Sequence, residues 1–193
     1  MRTLDEESSL DGGRTCPSPS RFEGELIRLR AREPGDEPLV FRWMNDPEVT
    51  EHLPNRYPVS HQFEQAWLQA MPPPEYRSFS LAVETRAEGL LIGAASLRKV
   101  DAEARSAELG IMIGEREYWD GGYGTDTMNT ICRFGFEMMN LRRIWLEVYA
   151  LNERAVHVYE KVGFQHEALL RDAVYKFGAW QDVLVMGKIG GGE

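Results

Sequence analysis

Gly121, Gly122 and Gly124 stand between a stretch that reads as a strand and one that reads as a helix. Before them, Ala107, Leu109, Ile111 and Ile113 alternate with Glu108, Gly110 and Met112, which is the period of a strand. After them, Met128, Ile131, Cys132, Gly135 and Met139 share one helical face, in a helix expected to start near Thr125. The first N–H groups of a helix have no internal partner, and the helix dipole favours negative charge there. Glycines let the backbone approach a phosphate with no Cβ in the way. The chemistry predicted is binding of a phosphate or pyrophosphate at residues 119–125, against a plain steric turn as the other reading. A P-loop is excluded, because Gly124 is followed by Thr125-Asp126 rather than by Lys and a hydroxyl residue. A dinucleotide fingerprint is excluded too, because position 127 is threonine and not glycine.

Other chemistries find little support. His52, His61, His157 and His166 show no metal-ligand spacing, so no metal is assigned. No Gly-x-Ser-x-Gly elbow is present, which argues against a serine hydrolase.

The elements that must position the turn can be read in order. Residues 1–20 are rich in Ser, Gly, Pro and acidic residues, lack aromatics, and read as a disordered tail. Ile27, Leu29 and Ala31 alternate with arginines in a first strand. Pro34-Gly35-Asp36 opens a helix with Leu39, Val40, Trp43 and Met44 on its apolar face, and Asn45-Asp46-Pro47 ends it. Residues 48–58 read as a loop. Ser60 caps a second helix whose stripe of Phe63, Ala66, Trp67 and Ala70 is expected in the core, stopped by Pro72-Pro73-Pro74. Strands are expected over 77–85 and 90–99, joined by a hairpin turn at 86–89. Beyond the glycine turn and its helix, residues 143–150 alternate as a strand. Asn152 then caps a helix to Val162, and Gly163 fits a left-handed helix end. Strands over 164–169 and 181–188, joined by a loop through 171–180, complete the chain, with 191–193 frayed. The pattern β α α β β β α β α β β implies a mixed sheet with helices on both faces.

The whole chain narrows the class. Its 193 residues suit one domain, expected over 21–190. A net charge of −9 argues against binding a nucleic-acid backbone. Cys16 and Cys132 form no paired pattern, which suggests a reducing compartment. The start MRTLDEESS has no apolar core of a signal peptide, and the run Leu90–Leu97 is too short to span a bilayer. A cytoplasmic protein with no membrane partner is expected.

The segment Asn152-Glu153-Arg154-Ala155-Val156-His157-Val158-Tyr159-Glu160-Lys161-Val162-Gly163-Phe164 closely resembles the N-x-x-A-x-x-x-Y-E-K-x-G-F motif of the GNAT superfamily of acyl-CoA-dependent N-acyltransferases. Gly122-Tyr123-Gly124 lies at the right distance upstream to be that superfamily's pyrophosphate loop. The phrase Trp43-Met44-Asn45-Asp46-Pro47-Glu48-Val49 and the ending Gly178-Ala179-Trp180-Gln181-Asp182-Val183 look like its RimJ/RimL-type branch. The resemblance spans about residues 22–189. One departure stands out: the usual Q/R-x-x-G-x-G loop, often with a basic residue just before Gly-Tyr-Gly, here carries Trp119 and Gly121. Arg116 or Arg154 is a candidate to supply the missing charge.

The resemblance implies a GNAT fold of the α/β (α+β) class: a mostly antiparallel mixed sheet of about seven strands with helices on both faces. It implies acetyl-CoA as cofactor and an N-acetyltransferase acting on a small-molecule or peptide amine, with a homodimer compatible. The strands at 107–113 and 143–149 would diverge around the pantetheine arm, with backbone groups of Met112 and Ile113 pairing with it and an N–H facing the oxyanion. The cofactor set it implies is Met112, Ile113, Trp119, Gly121, Gly122, Tyr123, Gly124, Thr125, Asn152, Arg154 and Lys161. Tyr159 matches the tyrosine that protonates the leaving thiolate in relatives, with a core tyrosine as the other reading. Asn152 matches a residue that contacts the arm, and a plain N-cap also explains it. Glu108, on the strand face of Gly110 and Met112, is the candidate base, its pKa expected to be raised in an apolar cleft; a solvent-facing carboxylate is the alternative. Glu48, Glu51, His52, Tyr57, Asp172, Tyr175 and Asp182 fall in the expected substrate-side loops, where they could favour a cationic amine. The function expected is transfer of an acetyl group to a primary amine by direct attack; a catalytically silent acyl-CoA-binding module is the reading from another class.

Overall fold

A computed structural model describes residues 21–70 and 75–191. The expected tail over 1–20, the stop at Pro72-Pro73-Pro74 and the end at 192–193 lie outside the described residues. Strands are β1 (Ile27–Arg30), β2 (Phe79–Thr85), β3 (Leu91–Asp101), β4 (Ser106–Ile113), β5 (Arg143–Tyr149), β6 (Gln165–Lys176) and β7 (Ala179–Ile189). Helices are α1 (Glu37–Met44), α2 (Pro47–Thr50), α3 (His61–Ala70), α4 (Tyr123–Glu137) and α5 (Glu153–Val162). The strands form a seven-stranded sheet in the order β1-β2-β3-β4-β5-β7-β6. All neighbours are antiparallel except β4 and β5, which α4 joins as a parallel crossover.

Alternation sorts the strand residues onto the two faces. Ala107 and Leu109 of β4, with Ile144, Leu146 and Val148 of β5, join Met128, Ile131 and Cys132 of α4 in the larger core. This is the face that the spacing of apolar residues in α4 predicts. On the opposite face a smaller cluster forms around Val40, Trp43, Val49, Ala82 and Leu91, with Met112 packed against it. Helices therefore cover both faces of the sheet, as expected. Among the described residues no helix is long and apolar enough to cross a membrane.

Three local expectations change. The Asp46 side chain accepts from Glu48 N and starts one further helical turn, α2, where a loop is expected. The stripe on α3 is not core: Phe63 is 60% and Trp67 44% exposed, while Glu64 is the buried residue at 4%. Its helical spacing is real, but the face it defines is turned outward, with Arg32 lying over the Trp67 ring. Finally, β6 and β7 run through the stretch expected as a loop and meet at a turn at Phe177-Gly178. A register shift between Leu170 and Val174, with Asp172 at φ 50°, breaks the alternation that would have marked one strand. Asp172, Tyr175 and Asp182 are thus strand residues, and Asp182 accepts from Asp172 N at 2.9 Å.

Candidate active site

β4 and β5 pair over only three residues: Ser106 with Arg143, Ala107 with Ile144 and Glu108 with Trp145. Beyond Glu108 the ladder stops, and the strands bound a cleft of about 820 Å³ that reaches both faces of the sheet. Both strands run into helices at the same end, so the N-termini of α4 and α5 flank the open end of this slot.

Which backbone groups face the slot follows from the β3–β4 register. Gly114 N donates to Ile92 O at 2.8 Å. Antiparallel pairs alternate between bonded and non-bonded, so Met112 bonds to Ala94 on β3 while Ile111 and Ile113 direct their N–H and C=O groups towards β5. This corrects the expected set: the backbone of Met112 belongs to the ladder with β3, and Ile111 joins Ile113 at the slot. Met112 contributes its side chain to the cleft wall instead.

The glycine turn is built as a helix entry. Gly122 sits at φ 87°, a left-handed conformation that a Cβ would strain, and α4 starts at Tyr123, two residues before the expected Thr125. The first helical amide to bond within the helix is Asp126 N, to Gly122 O at 2.9 Å. The N–H groups of Tyr123, Gly124 and Thr125 thus have no partner inside the helix. Gly121 packs against the Tyr123 ring. The carboxylate of Asp126, which would repel an anion at this helix start, is turned away. It accepts from the backbone N–H groups of Glu25, Leu26 and Ile27 at 2.7–3.1 Å and so ties the entry of β1 to α4.

Trp119 donates its indole N–H to Ile113 O at 2.8 Å. The guanidinium of Arg154, in the first turn of α5, lies 3.9 Å from the Trp119 ring centroid. Arg116, the other candidate for the missing loop charge, is taken up by Glu48 at 2.5 Å and Asp46 at 3.6 Å. Asn152 is the N-cap of α5, accepting from Ala155 N at 3.2 Å, and it lines the cleft as well. Lys161, in the last turn of α5, lines the cleft and is exposed.

Tyr159 stands on the inner face of α5 and lines the cleft. Burial pushes its phenol up to about 12. Such a group is protonated at neutral pH and can donate a hydrogen bond but not act as a base.

Glu108 also lines the cleft but does not match its expected chemistry. It is 3% exposed and is held by Arg98 Nε at 3.0 Å and Lys99 Nζ at 2.7 Å. Burial alone would raise its pKa, but the Lys99 and Arg98 contacts outweigh burial and hold it below the usual carboxylate range. A carboxylate so paired is a poor base, which corrects the expected raised pKa. The residue that the sequence reading missed is Glu147. It shares a sheet face with Trp145, the partner of Glu108, so it stands opposite Gly110 across the widening slot. Glu147 lines the cleft and, among the described residues, has no ion-pair partner within 4 Å. The strand period that placed Glu108 on this face would have found it.

On the far wall, Glu48 and His52 reach the cleft, while Tyr57 is 80% exposed and lies outside it. Lys176 is buried and donates to Thr50 O, Glu51 O and Leu53 O at 2.5–2.9 Å. One lysine thus pins the loop after α2 to the end of β6.

Residues 27–165 match the family model described as acetyltransferase (GNAT) domain. The chain is 29% identical to spermidine N(1)-acetyltransferase of Vibrio cholerae over 158 residues, covering 81% of this chain and 89% of that protein. It is 27% identical to the uncharacterized N-acetyltransferase YoaA of Bacillus subtilis, covering 85% of this chain and 93% of that one. In three dimensions it is similar to spermidine N-acetyltransferase from Vibrio cholerae in complex with CoA and spermine, with a TM-score of 0.76 at 27% identity, covering 84% of this chain and 95% of that one.

Proposed function

The chain belongs to the GNAT acetyltransferase family and is an acetyl-CoA-dependent N-acetyltransferase with the GNAT fold; from that premise we propose that it acetylates a primary amine by direct attack, in the slot between β4 and β5. The observation that carries this reading is the slot itself. It ends at two helix N-termini, is edged by the backbone groups of Ile111 and the N–H of Ile113, and has Tyr159 on one side and Glu147 on the other.

The residues present fit acetyl-CoA. The N–H groups of Tyr123, Gly124 and Thr125 suit a pyrophosphate, which Gly122 and Gly124, both lining the cleft, let come close. Arg154, fixed by Trp119, supplies the cation that the loop lacks, with Lys161 as a further charge along α5. Ile111, Ile113 and Asn152 suit the amide-bearing arm. When bound, the cofactor supplies the acetyl thioester.

The chain's own residues then divide the work. Glu147 attracts the acceptor ammonium and takes its proton, directly or through water. An N–H of Ile111 or Ile113, aimed into the slot, would donate to the negative charge that develops on the acyl oxygen. The Tyr159 hydroxyl would donate to the thioester sulfur as that atom takes on charge. With a phenol at about 12, far above an ordinary thiol at ~8.5, this donation would stabilise the leaving sulfur, and the proton that completes the thiol would come from the amine nitrogen, which loses it as the amide forms.

Relatives named for spermidine support an amine acceptor. The RimJ/RimL-like phrase at 43–49 keeps a protein N-terminus within the same proposal. The test is release of free CoA thiol from acetyl-CoA across polyamines, amino acids and their amides, aminoglycosides and N-terminal peptides. Release with one class supports the reading and names the acceptor. A clear acetyl-CoA melting shift without release from any amine would favour a silent binding module.

A further inference from the structure

The half of the cleft away from Tyr159 has an unusual floor. Ser80, Ser96 and Gly110 lie side by side on β2, β3 and β4 and line the cleft on the face of Glu108. A Cβ on Gly110 would stand 2.9 Å from Ser96 Oγ, 3.8 Å from Arg98 Cζ and 3.9 Å from Arg98 Nη1. This glycine therefore keeps open a notch walled by a hydroxyl and a guanidinium.

The charge at the notch does not cancel. Arg98 and Lys99 both pair with Glu108, so two cations share one carboxylate. Arg98 uses Nε and Nη2 for that pair, which leaves Nη1, the nitrogen beside the notch, outside it. Across the slot, on the same sheet face, stands the carboxylate of Glu147. A ligand lying here meets a negative group at one edge and a surplus positive charge at the other.

We propose that the notch at Gly110 binds a carboxylate of the acceptor, so that the substrate is an amine that also carries an acid group, in the manner of an amino acid or a short peptide. The inference rests on the acceptor side assigned above, with the amine at Glu147. A polycation laid along the same floor would bring a second ammonium against Arg98 and Lys99. A zwitterion satisfies both edges, with the Ser80 hydroxyl as a further donor on the same floor, while the Ser96 hydroxyl is turned to Gly110 O at 3.4 Å.

The test compares acceptors that differ only in the acid group. Amino acids and dipeptides are set against their amides, with spermidine and an aminoalkyl phosphate as further arms. The reading is thiol release at saturating acetyl-CoA. Acids should exceed their amides and spermidine at least tenfold in kcat/KM. Calorimetric titration of the best acid into CoA-saturated protein should show binding weakened about tenfold by Arg98→Gln and by Gly110→Ala, each measured on samples with a cooperative melt. Better turnover of the phosphate would replace the carboxylate and overturn its identity. Equal or better turnover of amides or spermidine would overturn the proposal while leaving the acetyltransferase reading intact. Release with no amine in any arm would overturn both.

Discussion

The guanidinium of Arg154 rests 3.9 Å from the centre of the Trp119 ring, so a side chain from the helix after β5 touches one from the loop after β4 across the open end of the slot. Trp119 is itself fixed through Ile113 O. The pair sets a cation beside the helix start where the loop has none of its own. Arg154→Ala should weaken acetyl-CoA binding about tenfold, the loss of one charge-assisted contact. Calorimetry reads the affinity; unchanged binding would place the phosphate contact elsewhere.

Tyr159→Phe should lower kcat by about 10- to 100-fold while the acetyl-CoA dissociation constant stays within twofold. The effect is bounded because a phenol near 12 is a poor acid. Steady-state kinetics with a calorimetric control decides it, and equal turnover would remove the hydroxyl from the mechanism.

The two carboxylates on the acceptor face should separate cleanly. Glu147→Gln is expected to lower kcat/KM by about 100-fold or more with little change in melting temperature. Glu108→Gln removes a buried carboxylate whose partners Arg98 and Lys99 are largely exposed, so about 1 kcal/mol is lost after solvent screening. For a domain of this size that is roughly 2–4 °C. The reverse pattern would restore Glu108 as the base.

Acid should unfold the protein through Glu108, Asp36 and Glu84. Burial pulls each upward, but hydrogen bonds and charges win: Lys99 and Arg98 at Glu108, Arg30 at Asp36, Arg28 and Arg30 at Glu84. Each folded-state value thus lies below its ordinary one of 3.8 for Asp or 4.5 for Glu. Groups depressed in this way stabilise fully above the ordinary value and lose that stabilisation as pH falls through the folded one. Melting temperature should therefore hold down to about pH 5 and fall below about 4.5. A decline already complete above pH 5 would contradict the assignment.

Glu64 carries the opposite sign. It is 4% exposed, its Oε1 has no hydrogen-bond partner, and burial raises its pKa. Its ionisation opposes folding, so stability falls as pH rises through the raised value. Glu64→Gln should raise the melting temperature at pH 7 and give no gain at pH 4. A loss at pH 7 would mean that the charge is needed by Arg32.

What the sequence disclosed was mostly local. The turn at Gly121–Gly124, the caps at Asn152 and Gly163 and the alternation in β4 and β5 depend on near neighbours, and all appear in the fold. What it hid depends on register. Arg98 meets Glu108 because β3 and β4 pair at that row, and no local pattern gives a row number. Lys176 reaches carbonyls more than 120 positions away. The stripe of Phe63 and Trp67 has the spacing of a buried face, yet spacing does not say which way a helix is turned. The slot edge likewise needed the bond from Gly114 to Ile92 before Met112 could be told from Ile111.

The short β4–β5 seam makes the sheet a plate with a built-in crack: four strands on one side, three on the other, stitched by three residue pairs. An extended ligand with amide groups, lying along the crack, would act as a missing strand and splice the two plates. Binding and stiffening would then be one event, so the amides of Ile111 and Ile113 would pass from rapid to slow hydrogen exchange as the cofactor enters. Mechanically, the cofactor would become part of the sheet for the length of each catalytic cycle.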